Sequence, residues 1–146
     1  VSLVDLREEM KNSNVGPCLY IFNTAVPFLA MVFIEVIIKS IFQWYERWFE
    51  QPNFYGCMFI KASEEFSQDT PKIRQVSQDH KQWLTDVLEE LLTLIGVQHP
   101  ASLANFIMVT LDGLTVNANI FAYTGGMKLD SSWAFVENLI LQSKKH

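Results

Sequence analysis

The chain has 146 residues, of which 49% are hydrophobic and 18% charged, and its formal net charge is −5. One domain with a real core fits that length, because folding at this size removes roughly 70% of the unfolded surface from water. Disorder is excluded by the apolar content, and an acidic chain with scattered basic residues is by itself a poor binder of nucleic acid.

The N-terminal stretch comes first and is the least regular. Leu3, Leu6 and Met10 suggest a short helix, broken by Asn12-Ser13-Asn14 and Gly16-Pro17. From Pro17 to Ile34, eighteen residues carry no charge. That is the short limit for a membrane span. Asn23, Thr24 and Pro27 interrupt it and Glu35 follows at once, so burial in a soluble core is expected, with no membrane partner. A secretory leader lacks its basic start: Arg7 is followed by Glu8 and Glu9. Two cysteines, Cys18 and Cys57, make neither a disulfide framework nor a zinc site. A reducing cytoplasm is the expected compartment.

Ile37, Ile41, Trp44, Tyr45 and Trp48 predict an amphipathic helix that stops before Pro52. A shorter helix is expected from Phe54 to Phe66. Thr70-Pro71 is a strong helix start, a cap followed by proline at the first helical position. From there Ile73, Val76, Trp83, Leu84, Val87, Leu88, Leu91, Leu92 and Ile95 recur in steps of three and four, with His80 in the gap and Gly96 as the stop. Pro100 opens the next helix, which is apolar nearly all round and ends at Gly125-Gly126. A final helix begins near Asp130 or Ser131, with Trp133, Val136 and Ile140 on one side. No stretch alternates as a strand does. The fold class is therefore all-α, a helical bundle.

Candidate catalytic groups are few. Glu64-Glu65 and Glu89-Glu90 are adjacent on helices, so their carboxylates diverge rather than meet on a substrate. His80, His99 and His146 show no metal-ligand spacing, and Cys57 has no neighbouring base. No glycine-rich phosphate loop occurs. No enzyme activity and no cofactor are expected. The aromatics Trp44, Tyr45, Trp48, Phe59, Trp83 and Phe106 come from four helices. They read either as core packing or as the walls of an apolar pocket for a small aromatic or lipophilic molecule, with His80, Asn105 and Asn117 available to orient it. The last two helices carry a second apolar excess. A four-helix interface between two copies would use it, through Leu103, Ile107, Leu111, Gly113, Leu114, Ala118, Trp133, Val136 and Ile140. Gly113 costs helix stability and would let a neighbouring helix approach, in a partner or in the chain's own long helix.

The stretch Phe42-Gln43-Trp44-Tyr45-Glu46-Arg47-Trp48, followed by Asn53-Phe54-Tyr55-Gly56-Cys57-Met58-Phe59-Ile60-Lys61-Ala62-Ser63-Glu64-Glu65-Phe66, resembles the regulatory domain of TetR/AcrR-type transcriptional regulators. His80-Lys81 and Leu111-Asp112-Gly113-Leu114 are also similar to that family, and the resemblance covers about 40–142. It implies a homodimer whose last two helices form the dimer bundle, an effector pocket among the middle helices, and operator DNA bound by an N-terminal helix-turn-helix. Residues 1–39 would hold a truncated or degenerate form of that head and its linker, and 40–146 the ligand-binding and dimerisation domain. Leu3-Val4-Asp5-Leu6 stands where the motif's first helix would be, and Val15-Gly16, Leu19-Tyr20, Phe22-Asn23 and Leu29 resemble the family's recognition helix and the start of its linker helix, but the turn is longer and the recognition segment shorter than in the family, and no base-contacting residue is assigned. The expected function is a ligand-responsive repressor. The alternative is a small-molecule-binding or dimerisation module without DNA binding.

Overall fold

The computed structural model describes residues 27–66, 71–121 and 129–144, with side chains described from 32 in the first segment and from 132 in the last. Five helices and no strand occur among them: α1 Pro27–Phe49, α2 Met58–Glu65, α3 Pro71–Leu94, α4 Pro100–Ile120 and α5 Leu129–Gln142. Helices α1, α3 and α4 all begin on a proline, whose fixed φ suits the first helical turn and whose missing N–H would be unbonded there anyway. None of the described helices is long and apolar enough to cross a membrane. The expected first helix at Leu3–Met10, the Thr70 cap, Cys18 and the Gly125-Gly126 stop lie outside the described residues.

Helix α3 ends as its sequence predicts. Gly96 takes φ +79°. Its N–H bonds the Thr93 carbonyl at 3.1 Å and the next N–H, of Val97, bonds the Leu92 carbonyl at 3.1 Å. This paired pattern satisfies two carbonyls that the helix end would otherwise leave open. Val97 is then buried against the core, which fixes the direction in which α4 departs.

Two boundaries differ from the reading of the sequence. Helix α2 starts at Met58, not Phe54. Gly56 has φ +86°, so 50–57 forms a turn that carries the chain from α1 to α2. Helix α1 runs through 39–40 without a break, and Ile34 and Ile38 share one core with Ile41 and Phe42. Residues 39 and 40 are therefore not a domain boundary in the packing.

The core joins the inward stripes of four helices. Ile34, Ile38, Phe42, Tyr45 and Phe49 come from α1, Leu84, Leu88, Leu91 and Leu92 from α3, Leu103, Ala104, Ile107, Met108 and Leu111 from α4, and Trp133, Val136 and Ile140 from α5. Each fully buried leucine or isoleucine contributes about 1.5–3 kcal/mol by leaving water. Phe42 meets Trp133 edge to face at 5.3 Å, locking α5 onto α1. The tail closes the bundle. Gln98 N–H donates to the Ser143 carbonyl at 2.8 Å, and Lys144 pairs with Glu35 on α1.

This arrangement corrects the expected dimer surface. Leu103, Ile107, Leu111, Ala118, Trp133, Val136 and Ile140 are buried within the protomer, and Leu114 is half-buried against the same core. Side chains already out of water in one copy cannot bury further area against another. Of the nine residues assigned, only Gly113 is exposed, and a Cβ built there would meet nothing within 4 Å. The chain's own long helix therefore does not account for that glycine.

Candidate functional site

A cleft of about 400 Å³ opens between α2, α3 and α4. Its lining is Phe59, Ile60 and Ser63 from α2, Arg74, Ser77, Gln78 and Lys81 from α3, and Asp112 from α4. The four α3 residues are spaced at i, i+3, i+4 and i+7, which places them on one helical face. On that face Arg74 and Gln78 are exposed and Lys81 is half-buried, and of the two apolar residues that the sequence places inward here, Ile73 is half-buried and Val76 is not buried. Ser77 is buried, whereas Val76 is exposed to more than half. The Ser77 hydroxyl lies 3.3 Å from the Phe59 carbonyl of α2 and 3.3 Å from the Ile73 carbonyl of its own helix. A short hydroxyl at this point brings α3 close to α2, which a valine could not do without losing that bond.

The inner wall is an ion pair between Lys81 of α3 and Asp112 of α4. Behind it stands Tyr45, fully packed in the core. Burial pushes the Tyr45 phenol well above its ordinary range, and the charge of Asp112 and the thiol of Cys57 push it in the same direction. Tyr45 is therefore a neutral phenol at any physiological pH. Cys57 is a free, buried thiol. On α2, Lys61 reaches back to the Tyr55 carbonyl and holds the turn ahead of the helix.

The seven side chains assigned to a ligand pocket do not converge on this cleft; of them, only Phe59 lines it. Trp44 stacks on Trp48 at 5.5 Å, and Trp48 packs edge to face on Tyr45 at 5.8 Å and on Phe54 at 5.0 Å. These rings fill one another's space and form the aromatic end of α1. Phe59 stacks on His80 at 4.2 Å, and His80 lies 6.1 Å from Trp83. This second group forms the wall between α2 and α3. Phe106 is half exposed on the far side of α4, and Asn105 and Asn117 are exposed. The lining residues that the sequence does not mark as candidates are Ile60, Ser63, Arg74, Ser77, Gln78, Lys81 and Asp112. Ile60, Ser63, Lys81 and Asp112 stand out in the sequence only through the family resemblance. The i, i+3, i+4, i+7 spacing of Arg74, Ser77, Gln78 and Lys81 was the available signal, but a polar stripe reads as a solvated face.

Helix α4 has a second surface. Phe106, Val109, Gly113, Val116 and Ile120 follow in steps of three, four, three and four. The four side chains among them are between 41% and 64% exposed. On α5, Phe135 is 75% exposed and Leu141 is also exposed. Among the described residues, no group of three or more His, Cys, Asp or Glu is placed to hold a metal ion. No family model, no curated protein and no solved structure matches this chain.

Proposed function

We propose that the chain is the effector-sensing and dimerising part of a ligand-responsive transcriptional repressor of the TetR/AcrR type. The observation that carries the reading is the double role of α4. It lines the cleft with Asp112, and the next residue, Gly113, lies at the centre of the exposed apolar seam. A molecule that moved α4 from the cleft side would move the seam in the same step. Such a shared element is what a coupling free energy between two sites requires.

The seam's occupant in this reading is a second copy of the chain. Apolar residues in steps of three and four along one helix have the 3.5-residue period of helices that pack on each other at a small angle. A twofold axis pairs such a stripe with itself, and Gly113 at its middle permits close approach. The dimer bundle of the family resemblance is kept, but on the outward stripe of α4 and not on the residues first assigned. The DNA-binding head and its linker would occupy 1–39 in this reading, of which 1–26 lie outside the described residues. Helix α1 leads from there into the core, where it packs on α3, α4 and α5.

The test is a mobility-shift titration of the full chain on DNA from upstream of its own gene, at low salt. Retardation by a dimer is the expected result. A chain that dimerises but leaves this DNA unshifted overturns the repressor and favours the module without DNA binding.

A further inference from the structure

We propose that the cleft between α2, α3 and α4 binds a small organic anion, a carboxylate carried on an apolar or aromatic body, with Arg74 as its charge partner. The inference rests on the effector-binding reading and changes its chemistry, because the molecule expected there from sequence was uncharged and lipophilic.

The charges inside the cleft decide the class. Lys81 and Asp112 neutralise each other across the inner wall. Arg74 is the remaining charge in the lining, and it has no hydrogen-bond or ion-pair partner among the described residues. Among the described residues the lining thus carries one net positive charge, in a chain whose net charge is −5. The acidic pair Glu64-Glu65 at the end of α2 is exposed and does not line it.

The position of Arg74 strengthens the point. It stands in the first turn of α3, which itself contains no acidic residue. Backbone N–H groups already make that end of a helix positive, so a cation there is disfavoured. An anion in the cleft would reverse the sign of both terms. A guanidinium also offers a planar fork of donors that matches the two oxygens of a carboxylate. Around it stand further polar groups: the Gln78 amide, the Ser63 hydroxyl, and the N–H groups of Lys81 not taken by Asp112. Phe59 and Ile60 supply the apolar wall on the α2 side. A space of about 400 Å³ lies within the usual range for small-molecule sites.

The experiment is isothermal titration of the full chain with hydrocinnamate, with the neutral hydrocinnamyl alcohol and with inorganic phosphate. Hydrocinnamate is expected to bind, and the alcohol and phosphate to bind at least about tenfold more weakly, since each lacks one half of the recognised chemistry. Arg74→Gln should weaken hydrocinnamate by about tenfold or more, and Arg74→Lys by less. Arg47→Gln, the same charge change on the exposed end of α1, should leave binding unchanged; melting curves confirm that each variant folds. The proposal is overturned if hydrocinnamate gives no heat at millimolar concentration. Equal binding of the alcohol, or equal losses in the two glutamine variants, overturns it as well. The DNA titration is read separately. A chain that shifts its DNA but ignores hydrocinnamate loses the anion site and keeps the regulator. A chain that binds hydrocinnamate through Arg74 but shifts no DNA keeps the site and loses the regulator.

Discussion

Lys81 and Asp112 lie thirty-one positions apart in sequence and form an ion pair that ties α3 to α4 at the inner wall of the cleft. Their side chains retain 26% and 32% of their exposure. Water therefore screens the pair, and its net stabilisation is small. A double-mutant cycle of Lys81→Met and Asp112→Asn should give a coupling of about 0.5–1 kcal/mol in urea unfolding. A coupling of several kcal/mol would mean that the pair is closed off from solvent, contrary to its geometry.

Tyr45 gives the fold an alkaline limit. Burial, reinforced by Asp112 and Cys57, raises its folded-state pKa above the ordinary value near 10. The folded state therefore holds this proton more tightly than the unfolded state. The resulting stability is fully present below pH about 10 and is lost as pH rises beyond it. The urea midpoint of the wild-type chain should fall more steeply above that pH than that of Tyr45→Phe. Lysines titrate in the same range but do so in both proteins, so the difference isolates the phenol. Parallel slopes would show that Tyr45 is reached by solvent.

Two faces of α4 should respond differently to charge. Val109→Glu and Val116→Glu place a carboxylate on the exposed seam, where it meets water in the isolated protomer. Both should fold with helical content unchanged and sediment as monomers where the wild type sediments as a dimer. Ile107→Glu puts the same group into a fully buried position and should prevent folding, since an unpaired buried charge is far more costly than the stability of one domain allows. If the two seam variants remain dimers, the copies meet elsewhere.

Glycines 56 and 96 share a left-handed backbone but not their surroundings. At Gly96 a Cβ would enter open space, so Gly96→Ala should cost only the backbone term, about 1–2 kcal/mol. At Gly56 a Cβ would also come within 3.3 Å of the side chains of Asn119 and Lys61. Gly56→Ala should cost more by the displacement of those groups. Unfolding in urea ranks the pair; the reverse order would contradict the packing between the α1–α2 turn and α4.

The parts of the fold that could be read from sequence are those marked by local chemistry. Pro71 and Pro100 open helices and Gly96 closes one, because each acts through its own backbone. The start of α2 was less legible, since Phe54 and Tyr55 continue an aromatic run that looks helical until Gly56 turns the chain. The inward and outward stripes of α4 were exchanged for a different reason. Leu103, Ile107 and Leu111 carry nearly the same apolar character as Phe106, Val109 and Val116, and periodicity alone does not say which stripe meets α3. The cleft was hidden because its α3 wall is polar. Arg74 and Gln78 stay exposed in the folded chain, and only the approach of α2 to Ser77, through the Phe59 carbonyl, makes a cleft of their face.

The bond from Gln98 to Ser143 and the pair between Lys144 and Glu35 bring three remote parts of the chain to one corner. That corner holds α1 at Glu35. The helix continues ahead of Glu35 to Pro27, a run of about 12 Å at 1.5 Å per residue. A tilt of about five degrees at the corner would arrive at Pro27 as a displacement of about 1 Å, and anything attached in front of Pro27 would move further in proportion to its reach. Whatever precedes Pro27 would thus receive, enlarged, any tilt of α1 at this corner.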